Sequence, residues 1–314
     1  MNDMLSNHRS ATTLASTLTS VQVSETDFPL DAALDREGCS IAVITAVEGA
    51  SDRPLGAAMV IGADGQTAGT LSSGCIERDV VTRARNAART DRPKKLRYGK
   101  GSPFLDLQLP CGDGLEITLI PNPSQTVLKR ASAALRDRRN AGIAIGEDGR
   151  LTDMLKDGDL MIQVVPRLRV LVFGKGPEPK IFARLARAAG QSVELHSPDA
   201  QTREGIDYAR PMTAPEWPED VALDHRTAVV LFFLDHDWEL PLIWHALSSP
   251  AFYVGAQGSA GAHEKRIAAL EAIGVRRSAI DRMARPFDPV THAGDPHSLA
   301  SGVLAQILDH ARLT

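Results

Sequence analysis

The sequence predicts an α/β protein in two parts: a small amino-terminal α/β domain followed by a Rossmann-like, doubly wound parallel-sheet domain. Three observations lead there. Short apolar runs recur between glycine and proline punctuation, the later half alternates such runs with amphipathic helical stretches, and Gly174-Lys175-Gly176 joins one run to one helix. With 314 residues, 43% of them hydrophobic, the chain can bury two ordinary cores.

Residues 1–27 are rich in Ser and Thr with little periodicity and read as a flexible tail. A short helix is expected over 28–37. The apolar run 41–47, bounded by Gly38 and Gly49, reads as a strand. Runs 57–61 and 67–71 flank Ala63-Asp64-Gly65-Gln66, where Asp-Gly offers the positive-φ positions of a tight hairpin. Residues 77–89 place Val80, Val81, Ala84, Ala87 and Ala88 at helical spacing, and 115–120 alternates as a strand. Next come a helix over 126–139 with Asn140-Ala141-Gly142 as its cap, a hairpin at 146–150 and a strand at 160–165.

Pro166 breaks the pattern and sets the domain boundary, giving 28–166 and 167–314. Beyond it the expected strands are 169–173, 193–196, 228–234 and 252–254, and the expected helices are 177–189, 241–247 and 263–273. Strands alternating with helices indicate a parallel sheet.

Charge and cysteine content narrow the function classes. A net charge of -4 without a long block of one sign argues against a nucleic-acid partner. No apolar run approaches the ~18 residues that span a bilayer, and the first thirty residues lack a continuous apolar core, so the expectation is a cytoplasmic protein outside the membrane. Three cysteines form no even disulfide framework.

Two cysteines lie in glycine-flanked turns. Ser72-Ser73-Gly74-Cys75 leads into a helix, whose amino terminus favours a thiolate at Cys75, and Cys111-Gly112-Asp113-Gly114 follows Pro110. Cys39, at the entrance of a strand, reads as structural. Two thiolates do not complete a tetrahedral zinc site, and no histidine stands at ligand spacing. In the later half, Gly174 and Gly176 resemble a pyrophosphate turn, but Pro179 occupies the third glycine position. At the ribose position His196-Ser197-Pro198-Asp199 displaces the acid by two residues. An NAD(P)-dependent oxidoreductase is therefore the rival reading.

Asp235-His236-Asp237 ends an apolar strand and is open to two readings, a site at the sheet edge or a solvated capping turn. Gly255-Ala256-Gln257-Gly258-Ser259 is a second anion-compatible turn. His292, Asp295 and His297 have ligand chemistry, yet Gly294 and Pro296 favour a loop. No Gly-x-Ser-x-Gly elbow nominates a serine hydrolase.

Taken together, Gly69-Thr70-Leu71-Ser72-Ser73-Gly74-Cys75-Ile76-Glu77, Leu109-Pro110-Cys111-Gly112, Val172-Phe173-Gly174-Lys175-Gly176-Pro177-Glu178, Asp235-His236-Asp237 and Tyr253-Val254-Gly255-Ala256-Gln257-Gly258-Ser259 resemble the XdhC/CoxI family of xanthine dehydrogenase accessory proteins. The resemblance runs from about residue 28 to 310. Where the family has Ser-Gly-Gly-Cys and Cys-Gly-Gly, this chain has Ser72-Ser73-Gly74-Cys75 and Cys111-Gly112-Asp113.

The resemblance implies a chaperone more than a catalyst. Such a protein would bind molybdenum cofactor (molybdopterin) during its sulfuration and deliver it to a molybdenum hydroxylase such as xanthine dehydrogenase, with a cysteine desulfurase as sulfur source. It leaves homo-oligomer formation open. The cofactor-binding residues it implies are Ser72, Ser73, Gly74, Cys75, Cys111, Gly112, Gly174, Gly176, His236, Asp237, Gly255, Gly258 and Ser259, with Cys75 and Cys111 as metal contacts. Thiophilic molybdenum suits the thiols, and a pterin phosphate suits a helix amino terminus.

Overall fold

The computed structural model describes residues 19–49, 51–72, 74, 76–100, 102, 114–154, 156–233, 235–285, 287 and 294–312, with the backbone alone for His236. The chain divides into two compact units, Met1–Pro166 and Arg167–Thr314.

In the first unit the elements run β1 (Thr19–Ser24), α1 (Leu30–Leu34), β2 (Ser40–Glu48), β3 (Ala58–Ile61), β4 (Thr67–Gly69), α2 (Glu77–Thr90), β5 (Lys94–Gly99), β6 (Gly114–Pro121), α3 (Gln125–Arg136), β7 (Ala141–Ile145), β8 (Leu151–Thr152) and β9 (Leu160–Val165). An antiparallel sheet has the order β4-β3-β2-β6-β5, and a mixed sheet the order β1-β9-β7-β8. Period-two alternation gives the larger sheet two buried faces. Ile41 and Val43 of β2 join a core with α1, α3 and the mixed sheet. Ala42 and Ile44 face a second core closed by Val80, Ala84 and Ala87 of α2.

Three expectations change here. Residues 19–24 are not tail: they pair in parallel with β9, Val23 opposite Val164. Val23 is buried and Val21 half-buried while Ser20 and Gln22 stay exposed, so two valines among polar residues suffice for an edge strand. In the turn between β3 and β4 only Gly65 takes a positive φ, +87°. Asp64 instead accepts a hydrogen bond from the Gln66 amide at 2.9 Å. Helix α3 stops early because Arg138 itself turns left-handed at φ 59°, with the Arg138 and Arg139 amides closing on Leu135 and Ala134 carbonyls. Gly142 then lies in β7, not in a cap.

The second unit continues with β10 (Arg169–Gly174), α4 (Pro177–Ala188), β11 (Ser192–Ser197), α5 (Ala200–Arg203), β12 (Ala209–Pro211), β13 (Thr227–Phe232), α6 (His236–Leu247), β14 (Tyr253–Ala256), α7 (Ala260–Ala272), α8 (Arg277–Ile280) and α9 (Pro296–His310). Its sheet is parallel in the order β12-β11-β10-β13-β14. The order reverses between β10 and β13, the switch point where such sheets open a crevice. Val170, Val172, Val230 and Phe232 face a core with α4 and α9, and Leu171, Phe173, Val229 and Leu231 face one with α6 and α7. Near the carboxyl edge Phe173 stacks on His196 at 4.9 Å between ring centroids and meets Trp217, which stacks on His245 at 4.5 Å.

Helix α6 begins at His236 rather than at Pro241, because the Asp235 side chain caps it and Pro241 is carried inside the helix. Across the same core Glu239 of α6 and Arg266 of α7, each 1% exposed, form a two-pronged ion pair, Arg266 Nε to Glu239 Oε2 at 3.0 Å and Nη2 to Oε1 at 2.9 Å. A buried guanidinium stripped of its carboxylate is an uncompensated charge, so Glu239→Ala is expected to cost about 3–5 kcal/mol. Urea unfolding of the intact chain checks this, with the joint replacement Glu239→Leu and Arg266→Met expected nearer the parent.

Candidate functional site

Candidate residues fall in both units. In the first, β4 ends at Gly69 and α2 begins at Glu77; the intervening turn is organised by the Glu77 side chain. Its Oε1 accepts hydrogen bonds from the Thr70 hydroxyl (2.9 Å), the Leu71 amide (3.3 Å) and the Ser72 amide (2.8 Å). Its Oε2 accepts from the Ser72 hydroxyl (2.7 Å) and the Ile76 amide (3.2 Å). The Gly74 amide in turn donates to Ser72 Oγ at 3.3 Å. Burial pushes the Glu77 carboxyl up, but the hydrogen bonds from Ser72 and Thr70 more than reverse that and hold it below its ordinary 4.5.

Gly74 is exposed at φ +98°, with open space where a Cβ would stand, so the position asks for glycine by its backbone angle. One turn further on, Asp79 Oδ2 receives both Arg83 Nε and the Tyr98 hydroxyl, each at 2.6 Å. Ser73, Cys75, Cys111 and Gly112 lie outside the described residues. The entry of α2 carries two carboxylates, Glu77 and Asp79, in its first turn. Its electrostatics are therefore not those of a bare helix dipole, which alters the premise for a thiolate at position 75. Cys39 is buried, its thiol directed at the Ala33 carbonyl at 3.5 Å and pushed up in pKa by burial.

In the second unit Gly174, Gly176, Asp237, Gly255, Gly258 and Ser259 all gather at the carboxyl edge of the sheet. Strand β13 separates the Gly174 turn from the Gly255 turn, so these two are not direct neighbours. Gly174 is needed for packing: a Cβ there would stand 2.7 Å from the Phe232 carbonyl oxygen. Gly176 takes φ +100°, and its amide donates to Thr202 Oγ1 at 2.8 Å. Thr202 is itself held by Asp199, which accepts from the Thr202 hydroxyl at 2.6 Å and amide at 2.8 Å. The displaced acid is thus the cap of α5, and the amide that would meet a pyrophosphate is already bonded.

Asp237 is exposed in the first turn of α6, beneath the Asp235 cap. The backbone of His236 opens that helix. Asp295 caps α9 through the His297 and Ser298 amides, at 2.8 and 3.0 Å, and residue 292 lies outside the described residues. Among the described residues no group of three or more His, Cys, Asp or Glu stands ready to hold a metal ion. A cavity of about 590 Å³ in the first unit, lined by Gly38, Ser40, Gly62, Arg85, Arg89 and Asn122 among others, includes none of the candidates. Glu77 and Arg266 organise these turns and are not among the residues that the sequence nominates for the site.

Two family models match the chain: the XdhC and CoxI family over residues 32–99, and the XdhC Rossmann domain over 170–307. The chain belongs to the XdhC/CoxI family. It is 28% identical over 288 residues to the molybdenum cofactor insertion chaperone PaoD of Escherichia coli (strain K12), covering 89% of this chain and 86% of that protein. It shares its fold with a crystal structure titled a xanthine dehydrogenase from Bacillus halodurans, at a TM-score of 0.76 and 18% identity, over 93% of this chain and 96% of the other. Among the described residues no helix is long and apolar enough to cross a membrane.

Because five donors converge on Glu77, Glu77→Ala is expected to loosen the 70–76 turn by roughly 2 kcal/mol, a lower-range value for hydrogen bonds to a charged acceptor. Amide hydrogen exchange at Leu71 and Ser72 should then quicken about thirtyfold while Val60 and Ile117 keep their protection. Unchanged exchange at Ser72 would remove Glu77 from this role.

Proposed function

We propose that this protein is a molybdenum cofactor-binding accessory protein that protects the cofactor and delivers it to a xanthine dehydrogenase-type molybdenum hydroxylase. The observation that carries the reading is the similarity to PaoD across most of both chains, in a chain matched by both family models. The described residues supply ordered turns for such a ligand, with the Thr70 and Ser72 hydroxyls and the Leu71, Ser72 and Ile76 amides spent on Glu77 rather than left for it. A hydroxyl- and amide-rich turn, fixed by Glu77, leads up to position 75 in the first unit, and glycine turns line the sheet edge in the second.

When bound, the cofactor supplies a metal dithiolene centre, and the protein's part is to hold it and keep it from water. In this reading Cys75 and Cys111 take the metal end, with Ser72, Ser73, Gly74 and Gly112 shaping their turns. Gly255, Gly258 and Ser259 belong to the part that receives the phosphate-bearing end, with Gly174, Gly176, His236 and Asp237 beside them. A cysteine desulfurase is the sulfur-supplying partner, and the setting is the cytoplasm. The work is that of a chaperone rather than a catalyst.

The oxidoreductase alternative is weakened by two bonds: Gly176 gives its amide to Thr202, and Asp199 is spent on capping α5. NAD and NADP are accordingly expected to bind feebly. Calorimetry finding micromolar affinity for either would restore the rival.

Protein purified from a cofactor-making host is expected to carry molybdenum that Cys75→Ala removes, with the thermal midpoint nearly unchanged. Cys39→Ala, altering a buried thiol, should keep the metal. Elemental analysis decides: equal molybdenum in Cys75→Ala and parent would overturn the thiol assignment, and no molybdenum in the parent would overturn the function.

A further inference from the structure

An open sheet ends in strands whose outer main-chain groups can pair with any strand that comes to lie beside them, and folds blunt such edges by length, charge, proline or cover. Most edges in this protein are blunted. In the antiparallel sheet β4 has three residues, and β5 carries Lys94, Lys95 and Arg97. In the parallel sheet β12 has three residues and ends in Pro211, while β14 is covered by the Val254–Met283 bridge and by the Ala284 amide, which donates to the Val254 carbonyl at 2.9 Å. In the mixed sheet β8 has two residues.

Among the described residues the remaining edge, β1, has none of these devices. Its six residues, Thr19 to Ser24, include no charge, proline or glycine. The Glu25 amide donates to the Val165 carbonyl at 2.9 Å, which fixes the parity of the strand. In a parallel ladder the N–H and C=O of one residue point the same way and successive residues point oppositely. Thr19, Val21 and Val23 therefore face β9, and Ser20, Gln22 and Ser24 face outward. The Ser24 carbonyl is taken by the Asp27 and Phe28 amides at 2.9 and 3.1 Å. The Ser20 and Gln22 amides and carbonyls and the Ser24 amide have no partner among the described residues. Val21 and Val23 turn their side chains to Gly56 on the core face, whereas Ser20 and Gln22 are exposed.

This pattern is complementary to itself. An antiparallel copy of β1 centred on Gln22 sets Gln22 opposite the partner's Gln22 and Ser20 opposite the partner's Ser24, which are the outward-pointing residues that exchange hydrogen bonds. Val21 then meets the partner's Val23 on the core face, in the close pair between them. A slip of one residue would put valine against glutamine and turn the main-chain groups out of phase. With no charge in the strand, nothing repels across a two-fold axis. The sequence before it, residues 8–18, holds no Gly, Pro, Asn or Asp with which a tight turn could fold the chain back along β1.

We propose that β1 is a dimer interface, in which it pairs antiparallel with the β1 of a second copy of this chain about a two-fold axis through Gln22, so that the two mixed sheets run on as one. The inference is independent of the cofactor reading given above.

Sedimentation of the full chain over a concentration series is expected to show a dimer. Gln22→Pro removes an amide that takes no part in the β1–β9 ladder, at an edge position that tolerates proline. The thermal midpoint should fall little, while dimer affinity falls about thirtyfold or more through the amide lost from each copy. Gln22→Lys keeps the amide but sets like charges opposite each other, and should weaken the dimer severalfold, less so in high salt. Thr67→Lys, on the β4 edge, should change nothing. Gln22→Cys, whose paired Cα atoms would stand about 5.5 Å apart, should give a disulfide-linked dimer with glutathione disulfide as oxidant, beyond any formed by the parent. Should Gln22→Pro lower the thermal midpoint strongly, Gln22→Lys and the cross-link decide. A parent that sediments as a monomer throughout, or a dimer that Gln22→Lys leaves intact and Gln22→Cys does not link, would overturn the interface.

Discussion

Burying a guanidinium is the constraint around which the second unit is arranged. Arg266 brings five N–H donors into an apolar interior, where charge is tolerated only when paired and hydrogen-bonded. Glu239 supplies the charge from α6 and the Gln257 carbonyl a third acceptor, so one side chain ties α6, α7 and the turn after β14 into a fixed relation. The turn's geometry follows from this. Gly258 can have no Cβ without crowding Ala262 at 3.1 Å and Arg266 Nη2 at 3.4 Å, and Ser259 is left to cap the helix.

The first unit solves a related problem with the opposite sign. Glu77 draws the hydroxyls and amides of Thr70, Leu71, Ser72 and Ile76 inward, so that the polypeptide between β4 and α2 is held by an internal anion. In both units a loop that would otherwise be shaped by solvent is shaped by a side chain of the helix it enters. Such loops are already ordered, so little conformational freedom remains in them to be lost.

The architecture was legible because it is written in local patterns. Apolar runs mark β2, β10 and β13, the first bounded by glycines and the second ended by one, and the strand-turn-helix context of Gly174 and Gly258 places both at the sheet edge. What escaped is what depends on partners distant in sequence. Strand β1 rests on Val21 and Val23 alone, and becomes a strand only because β9 lies beside it. The cap of α3 falls on Arg138, a residue type with no preference for left-handed backbone. Helix α9 carried its own signal in Asp295-Pro296, an N-cap followed by a proline at N1, obscured by the ligand chemistry of the neighbouring histidines. Of the candidate site, the glycines could be read; Glu77, reaching back across its own turn, and Arg266, paired 27 residues away, could not.

The aromatic stack at the edge of the second unit has an optical consequence. All three tryptophans of the chain, Trp217, Trp238 and Trp244, belong to that unit, and the first has none. Indole emission therefore follows the Rossmann-like unit by itself, while the amino-terminal unit is dark under tryptophan excitation. Trp217 also lies face to face with His245, an imidazole that burial keeps below its usual pKa and hence neutral at neutral pH. The protein thus contains a built-in reporter that separates the behaviour of one half from the other without any label.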